Sequence, residues 1–351
     1  MTKIIAGIQQ LGIGVSNLAE AGEWYKNNLG YDVVIFDEAA EANLMLPYTN
    51  NKPQKRHAIL AYNMKGGGGF EVWQYTSRTP EAPAFEIQLG DLGIFACKIK
   101  SPNVDKAYKE FQNNNVNIIS EINNSPNGKP HFFIKDPYNN IFEIEEGNDW
   151  LLNQPKITGG NSGVIIGVSD MDKSIEFYSS ILGYETVVYD KENKFNDFES
   201  IPGGNGKYRR VLLKHSKKRI GAFSPLLRDS TIELVQALDR DVKKIYENRL
   251  WGDLGYIHLC FDIYGMDDLK KECEKAGHNF TVDSANSFDM GEAAGHFSYI
   301  EDPDGTLIEF VETHKIPIIK KIGWYLNLQK RNPEKPLPNW FFKLLGAARK
   351  I

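Results

Sequence analysis

The chain has 351 residues, is 41% hydrophobic and 25% charged, and carries a formal net charge of -5. That length suits about two domains, the composition is that of a soluble globular protein with a substantial core, and the charge gives no bulk signal for nucleic acid. Apolar runs are too short to span a bilayer, the start MTKIIAGIQQLGIGV lacks a signal-peptide core, and Cys97, Cys260 and Cys273 are too scattered for a disulfide framework, so a reduced, cytoplasmic protein is expected.

In chain order, a first strand carries Gln10 and leads into VSNLAEAGEWYKNNLGYDV (15–33). The strand KRHAILA holds Arg56 and His57. Gly66–Gly69 is followed by a strand and not a helix, so it reads as a hairpin turn and not a phosphate loop. FEVWQ (70–74) contains Glu71, GDLG follows at 90–93, and FIKDPYNNIFEI (133–144) closes on Glu143. The join EGNDWLLNQPKITGG is polar and carries Pro and Gly, as a linker should.

The chain then repeats itself. VSDMDKSIEFYSSILGYET (168–186) echoes 15–33 at an offset of 153, mapping Tyr25 to Tyr178 and Gly30 to Gly183. IELVQ (232–236) and GDLG (252–255) follow at offset 162, and YIEDPDGTLIEF (299–310) at offset 166. The offset drifts one way only, which marks a tandem duplication. Two domains are therefore expected, 1–150 and 158–314, followed by an arm over 315–351. Each half contains two cycles of strand, helix and three strands. In the helix after residue 168, Ser169 or Asp170 suits the N-cap, Met171, Ile175, Tyr178 and Leu182 recur at helical spacing, and Gly183 suits the stop. The fold class is α+β: four βαβββ modules.

Those modules resemble the vicinal-oxygen-chelate superfamily, which includes glyoxalase I, extradiol dioxygenases, methylmalonyl-CoA epimerase and bleomycin-resistance proteins. The resemblance rests on the two first-helix signatures, on FEVW and IELV, and on EDPDGTLIEF, and covers most of residues 8–312. It implies cupped mixed sheets, each built by two modules. It also implies a metal on a His or Gln from each module's first strand and a Glu from its last. Alternate side chains of a strand share a face, so neighbouring strands can aim such ligands at one point.

Carried over, the positions are Gln10 and Glu71 in module 1, Ala96 and Glu143 in module 2, Gly163 and Glu233 in module 3, and His258 and Glu309 in module 4. Ala and Gly side chains bind no metal. If neighbouring modules pair, the second cup holds only Glu233, His258 and Glu309. If the outer modules pair, one cup holds Gln10, Glu71, His258 and Glu309, the set of eukaryotic glyoxalase I members, and the other is dead. The complete set favours the outer pairing. Such ligands suit Zn, Ni, Mn or Fe.

The resemblance then implies a lyase or isomerase acting on a small substrate chelated through adjacent oxygens, with Glu309 and Glu71 as catalytic carboxylates. A metal-free binder of bleomycin-resistance type and a non-heme iron extradiol-type dioxygenase are the alternatives. Arg209, Tyr299 and His296 are candidate substrate contacts, because one of Arg209 and Arg210 should face inward and Tyr299 and His296 share the penultimate strand. Glu143 precedes Glu145 and Glu146 and reads as a solvated strand end. The arm carries nine Lys or Arg against one Glu, a net of +8 within the total of -5. Docking of its Trp324, Trp340, Phe341 and Phe342 on the acidic body, or on a homodimer partner, is favoured over a peripheral membrane contact.

Overall fold

The computed structural model describes residues 3–285, 288–290, 293–319 and 324–348. Module 1 comprises β1 (Ile4–Gly14), α1 (Leu18–Leu29), β2 (Val33–Glu41), β3 (Lys55–Tyr62) and β4 (Gly69–Tyr75). Module 2 comprises β5 (Gly93–Ser101), α2 (Val104–Asn113), the short β6 (Asn117–Ile118) and β7 (Asn123–Asn124), β8 (Pro130–Lys135) and β9 (Ile141–Glu146). Module 3 contains β10 (Asn161–Gly167), α3 (Met171–Ser180), β11 (Thr186–Asn193), β12 (Tyr208–Lys214), one turn α4 (Ser224–Leu227) and β13 (Thr231–Ala237). Module 4 contains β14 (Gly255–Tyr264), α5 (Met266–Lys275), β15 (Val282–Asp283), β16 (Phe288–Met290), β17 (Ala293–Glu301) and β18 (Leu307–Ile319). In the arm, β19 (Trp324–Asn327) and α6 (Asn339–Ala348) follow.

The helices start where the side chains allow. Asn17 and Asp170 accept hydrogen bonds from the backbone N–H groups of Glu20 and Lys173, and Gly30 and Gly183 take the left-handed conformation just beyond α1 and α3, the arrangement that satisfies helix ends.

The strands form two curled mixed sheets. One, of ten strands, runs β15-β17-β18-β14-β1-β4-β3-β2 and joins modules 4 and 1. The other, of nine strands, runs β11-β12-β13-β10-β5-β9-β8-β6 and joins modules 3 and 2. The outer pairing is therefore the one adopted. Each sheet takes one module from each half, so the sequence halves 1–150 and 158–314 are not the units that share a sheet. At the seam of the larger sheet β1 runs antiparallel to β14, and β4 lies parallel to β1 on its other side.

The main core fills one side of the strands. Leu11, Ile13, Phe70, Leu259, Phe310 and the apolar stripes of α1, α2, α3 and α5 bury together. The repeated tyrosine and Asp-Pro turn explain each other here. Tyr25 on α1 donates to Asp136 at 2.6 Å, and Tyr178 on α3 donates to Asp302 at 2.8 Å. The two aspartates also accept backbone N–H bonds that tighten their own turns, from Asn140 and Thr306 at 2.8 Å each. Each clasp ties one sheet to the other, which is why the chain repeats it.

The arm docks on its own chain. β19 pairs antiparallel with β18, and Leu337, Phe341 and Phe342 bury with Tyr62, Met64, Leu226 and Leu227. Trp340 is 58% exposed, contrary to expectation, because α6 has only one face against the body. The Trp324 side chain and residues 320–323 and 349–351 lie outside the described residues. Among the described residues no helix is long and apolar enough to cross a membrane.

Candidate metal centre

Four strands bring the predicted outer set together. Across the seam, Gln10 pairs with Cys260 and Gly12 with His258. Glu71 on β4 is the register partner of Gly12, and Glu309 on β18 is that of Cys260. The two halves thus cross over: each first-strand ligand faces the residue that sits beside the other module's glutamate. Gln10 Nε2 donates to Glu71 Oε2 at 3.2 Å. His258 Nε2 lies 3.5 Å from Glu71 Oε2 and 3.1 Å from Glu309 Oε2. One ligand atom from each of Glu71, His258 and Glu309 falls within 4.8 Å of the others.

The contacts converge without being satisfied. Gln10 Oε1, His258 Nε2 and Glu309 Oε2 are buried and make no geometrically sound hydrogen bond among the described residues. Buried polar atoms are normally paired, and two carboxylates closing on one imidazole nitrogen are what a bound cation would hold together. Tyr299 supports the ring from behind, its hydroxyl 3.3 Å from His258 Nδ1. Held as the Nδ1–H tautomer donating to Tyr299, His258 presents a lone pair on Nε2 to the cup. Gly12 was not singled out in the sequence, yet it matters: a Cβ there would lie 2.5 Å from His258 Cε1, so only glycine leaves room for the ring.

Burial and the partner charges set the electrostatics. Burial raises the Glu309 carboxyl, the Glu71 charge adds to this, and His258 opposes it without winning. Burial alone would lower the His258 imidazole, but Glu309 and Glu71 outweigh it and raise it. Two carboxylates, an imidazole and an amide oxygen in a low-dielectric cup fit a divalent cation. Around them stand Trp73, Tyr75, Trp251 and Tyr299, a largely aromatic wall.

The inner modules build a second cup with different contents. Glu143 is fully buried and not a solvated strand end, because its register partner Lys98 turns the same way on β5. Lys98 bonds Glu143 and lies 2.6 Å from Glu233. Glu233 also takes Arg210 and the Tyr189 hydroxyl, the latter at 2.7 Å. His131 sits 2.6 Å from Glu143, and Asp197 bridges His131 at 3.2 Å and Arg210 at 2.6 Å. Glu233 is therefore not a partner of His258 and Glu309, and the three-residue set within the second half is not assembled. In this cup an ammonium stands between the two glutamates. Burial would raise Glu143 and lower Lys98, but the attraction between them drives Glu143 down and Lys98 up.

Two further candidates fall outside the outer cup. Arg209 faces outward and pairs with Asp172 and Asp190 at 2.8 Å each, leaving Arg210 as the inward arginine, in the inner cup. His296 pairs with Glu312 in register while Tyr299 pairs with Glu309, so strand alternation puts it on the opposite face, where it meets Asp283 at 2.6 Å. Lys98 was missed, although IFACKIKS carried a signal: a lysine two residues after Ala96, inside a strand with apolar neighbours.

Sequence and structure comparisons agree with this architecture. The chain matches the Glyoxalase/Bleomycin resistance protein/Dioxygenase superfamily over residues 7–144 and 162–310, and it belongs to that family. Among solved structures it is similar to a glyoxalase I mutant from Zea mays, at 13% identity and a TM-score of 0.55, covering 89% of this chain and 92% of that one. It is also similar to a candidate dioxygenase from Bacillus subtilis subsp. subtilis str. 168, at 13% identity and a TM-score of 0.57, covering 89% and 86%. At such identities the likeness speaks for the fold alone. No curated protein matches the chain.

Proposed function

We propose that the chain is a metal-dependent, glyoxalase-like enzyme of the lyase or isomerase type. It acts on a small substrate with adjacent oxygens, at one site. The observation that carries this reading is the convergence of Glu71, His258 and Glu309, with Gln10 bonded to Glu71 and no lysine or arginine between the carboxylates among the described residues. Gln10, Glu71, His258 and Glu309 would hold the ion, which would supply Lewis-acid stabilisation of an oxyanion worth several kcal/mol. Glu309 would carry a proton to or from a substrate carbon facing the cup, with Glu71 as the second carboxylate. Tyr299 fixes the His258 ring, and the wall of Trp73, Trp251 and Tyr299 keeps water out.

An extradiol-type dioxygenase would need a second cup histidine. His258 is the only histidine in the outer cup among the described residues, which disfavours that reading. A metal-free binding protein would use the same aromatic wall without the ion. Metal analysis of protein purified without chelator separates the two: about one divalent ion per chain, abolished by His258→Ala, is the expected result. Absence of bound metal and of uptake from added Zn, Ni, Mn or Fe would leave the binding protein.

A further inference from the structure

The concave face of the nine-stranded sheet continues past its filled centre into a cleft of about 1010 Å³. Lys100 lies on the same face of β5 as Lys98, one pleat further along. The two lysines differ in what they meet. Lys98 is held by Glu143 and Glu233. Glu145, the register partner of Lys100, lies 4.0 Å from Lys98 instead. Lys100 is 3% exposed and its Nζ has no hydrogen-bond partner among the described residues. The ammonium lies over the Trp150 ring, 5.9 Å from its centroid.

Space for this side chain is built into the backbone around it. A Cβ on Gly147 would come within 2.7 Å of Lys100 Cβ. A second unsatisfied donor stands beside it. Ile99 pairs with Asn161 across the seam, so Ser162 is diagonal to Lys100 on the same face, and its buried Oγ also lacks a partner. Both residues line the cleft, whose walls carry seven lysines and arginines against five acidic side chains. Burial pushes the Lys100 amine down, against the pull of Asp149, to about 8, which still leaves it mostly charged at neutral pH.

A buried ammonium with no hydrogen-bond acceptor is costly, more than one aromatic face at the edge of cation–π range offsets, and an apolar side chain would fill the same space without that cost. We propose that this cleft is an anion site: Lys100 Nζ and Ser162 Oγ hold the oxyanion of a small organic ligand, a carboxylate or a phosphate ester. The Lys100 ammonium offers donors only and repels a cation, the Ser162 hydroxyl can donate beside it, and the volume exceeds what a bare inorganic ion needs. The site shares no residue with the Gln10–Glu71–His258–Glu309 cup, so its failure would leave the metal reading untouched.

Calorimetric titration of the full chain with inorganic phosphate, and separately with acetate, tests this and distinguishes the two sources. Saturable binding of one of them is expected at one site per chain. Lys100→Met should weaken it more than roughly tenfold, as loss of a charged hydrogen bond does, and Ser162→Ala by roughly two- to tenfold. Should Lys100→Met fail to fold, protection reads the same point in unsubstituted protein: the bound anion should slow acylation of Lys100 by acetic anhydride while leaving Lys52 and Lys109, exposed and outside the cleft, unaffected. Saturation by neither anion, affinity unchanged in both variants, or no protection of Lys100 would each overturn the proposal.

Discussion

The two cups share one scaffold and differ in where their positive charge comes from. In both, a glutamate from each of two modules meets at a seam of antiparallel first strands. The outer cup puts Gln10 and His258 beside its glutamates, and among the described residues no lysine or arginine pairs with Glu71 or Glu309. The inner cup replaces those ligands by Ala96 and Gly163 and inserts Lys98 between Glu143 and Glu233, with Arg210 and His131 around them. A pair of buried carboxylates needs a cation. One cup is supplied by the chain itself, and in the proposed function the other would recruit one.

This contrast is most sharply broken at Lys98. Lys98→Met leaves two glutamates buried without their ammonium and should cost about 3–5 kcal/mol in urea unfolding. In chelator-treated protein, Glu309→Gln should be neutral or stabilising, because it removes one of two like charges from an unfilled cup. Equal losses in the two variants would erase the distinction between the cups.

The next effect is pH dependence from the inner cup. Burial would lower His131, but Glu143 and Asp197 outweigh it and hold it up at about 9 against an ordinary 6.5. Its contribution is fully present below about 6.5 and is lost as pH rises through about 9, up to roughly 3 kcal/mol. Glu143 is held below its ordinary value, so its contribution is present above that value and fades as pH falls through the depressed one. Unfolding free energy should therefore decline between pH 6.5 and 9.5, and His131→Gln should remove that decline. An unchanged slope in the variant would count against the inner network.

Metal should act on the outer cup alone. At a hundred times its dissociation constant, a bound ion should raise wild-type stability by about 2.7 kcal/mol, measured by thermal unfolding with and without chelator. Glu309→Gln should show no such shift, and Lys98→Met, where it folds, should retain it. Smallest is the effect of Tyr299→Phe. Removing the hydroxyl 3.3 Å from His258 Nδ1 should weaken metal uptake by about 10–100-fold with little change in stability. Unaltered affinity would show that the ring is held by packing alone.

Much of this was legible in the residues. Repeats set the four modules, and the complementary gaps at Ala96 and Gly163 pointed to the outer pairing that the β1–β14 ladder displays. Strand parity was harder. Arg209 and Arg210 are adjacent, so one must face in, but which one depends on the register against β13, where Arg210 is the partner of Val235 and Leu212 that of Glu233. Glu143 looked solvated because Glu145 and Glu146 follow it, and only the pairing with β5 shows that a lysine waits opposite. Gly12 was silent because its role is the absence of a side chain beneath a ring 246 residues away.

An anomalous-difference map from crystals grown with Zn or Mn would test the central claim most directly. A single peak coordinated by Gln10, Glu71, His258 and Glu309, with none between Glu143 and Glu233, is the predicted result. A peak in the inner cup, or none in the outer one at saturating metal, would contradict it.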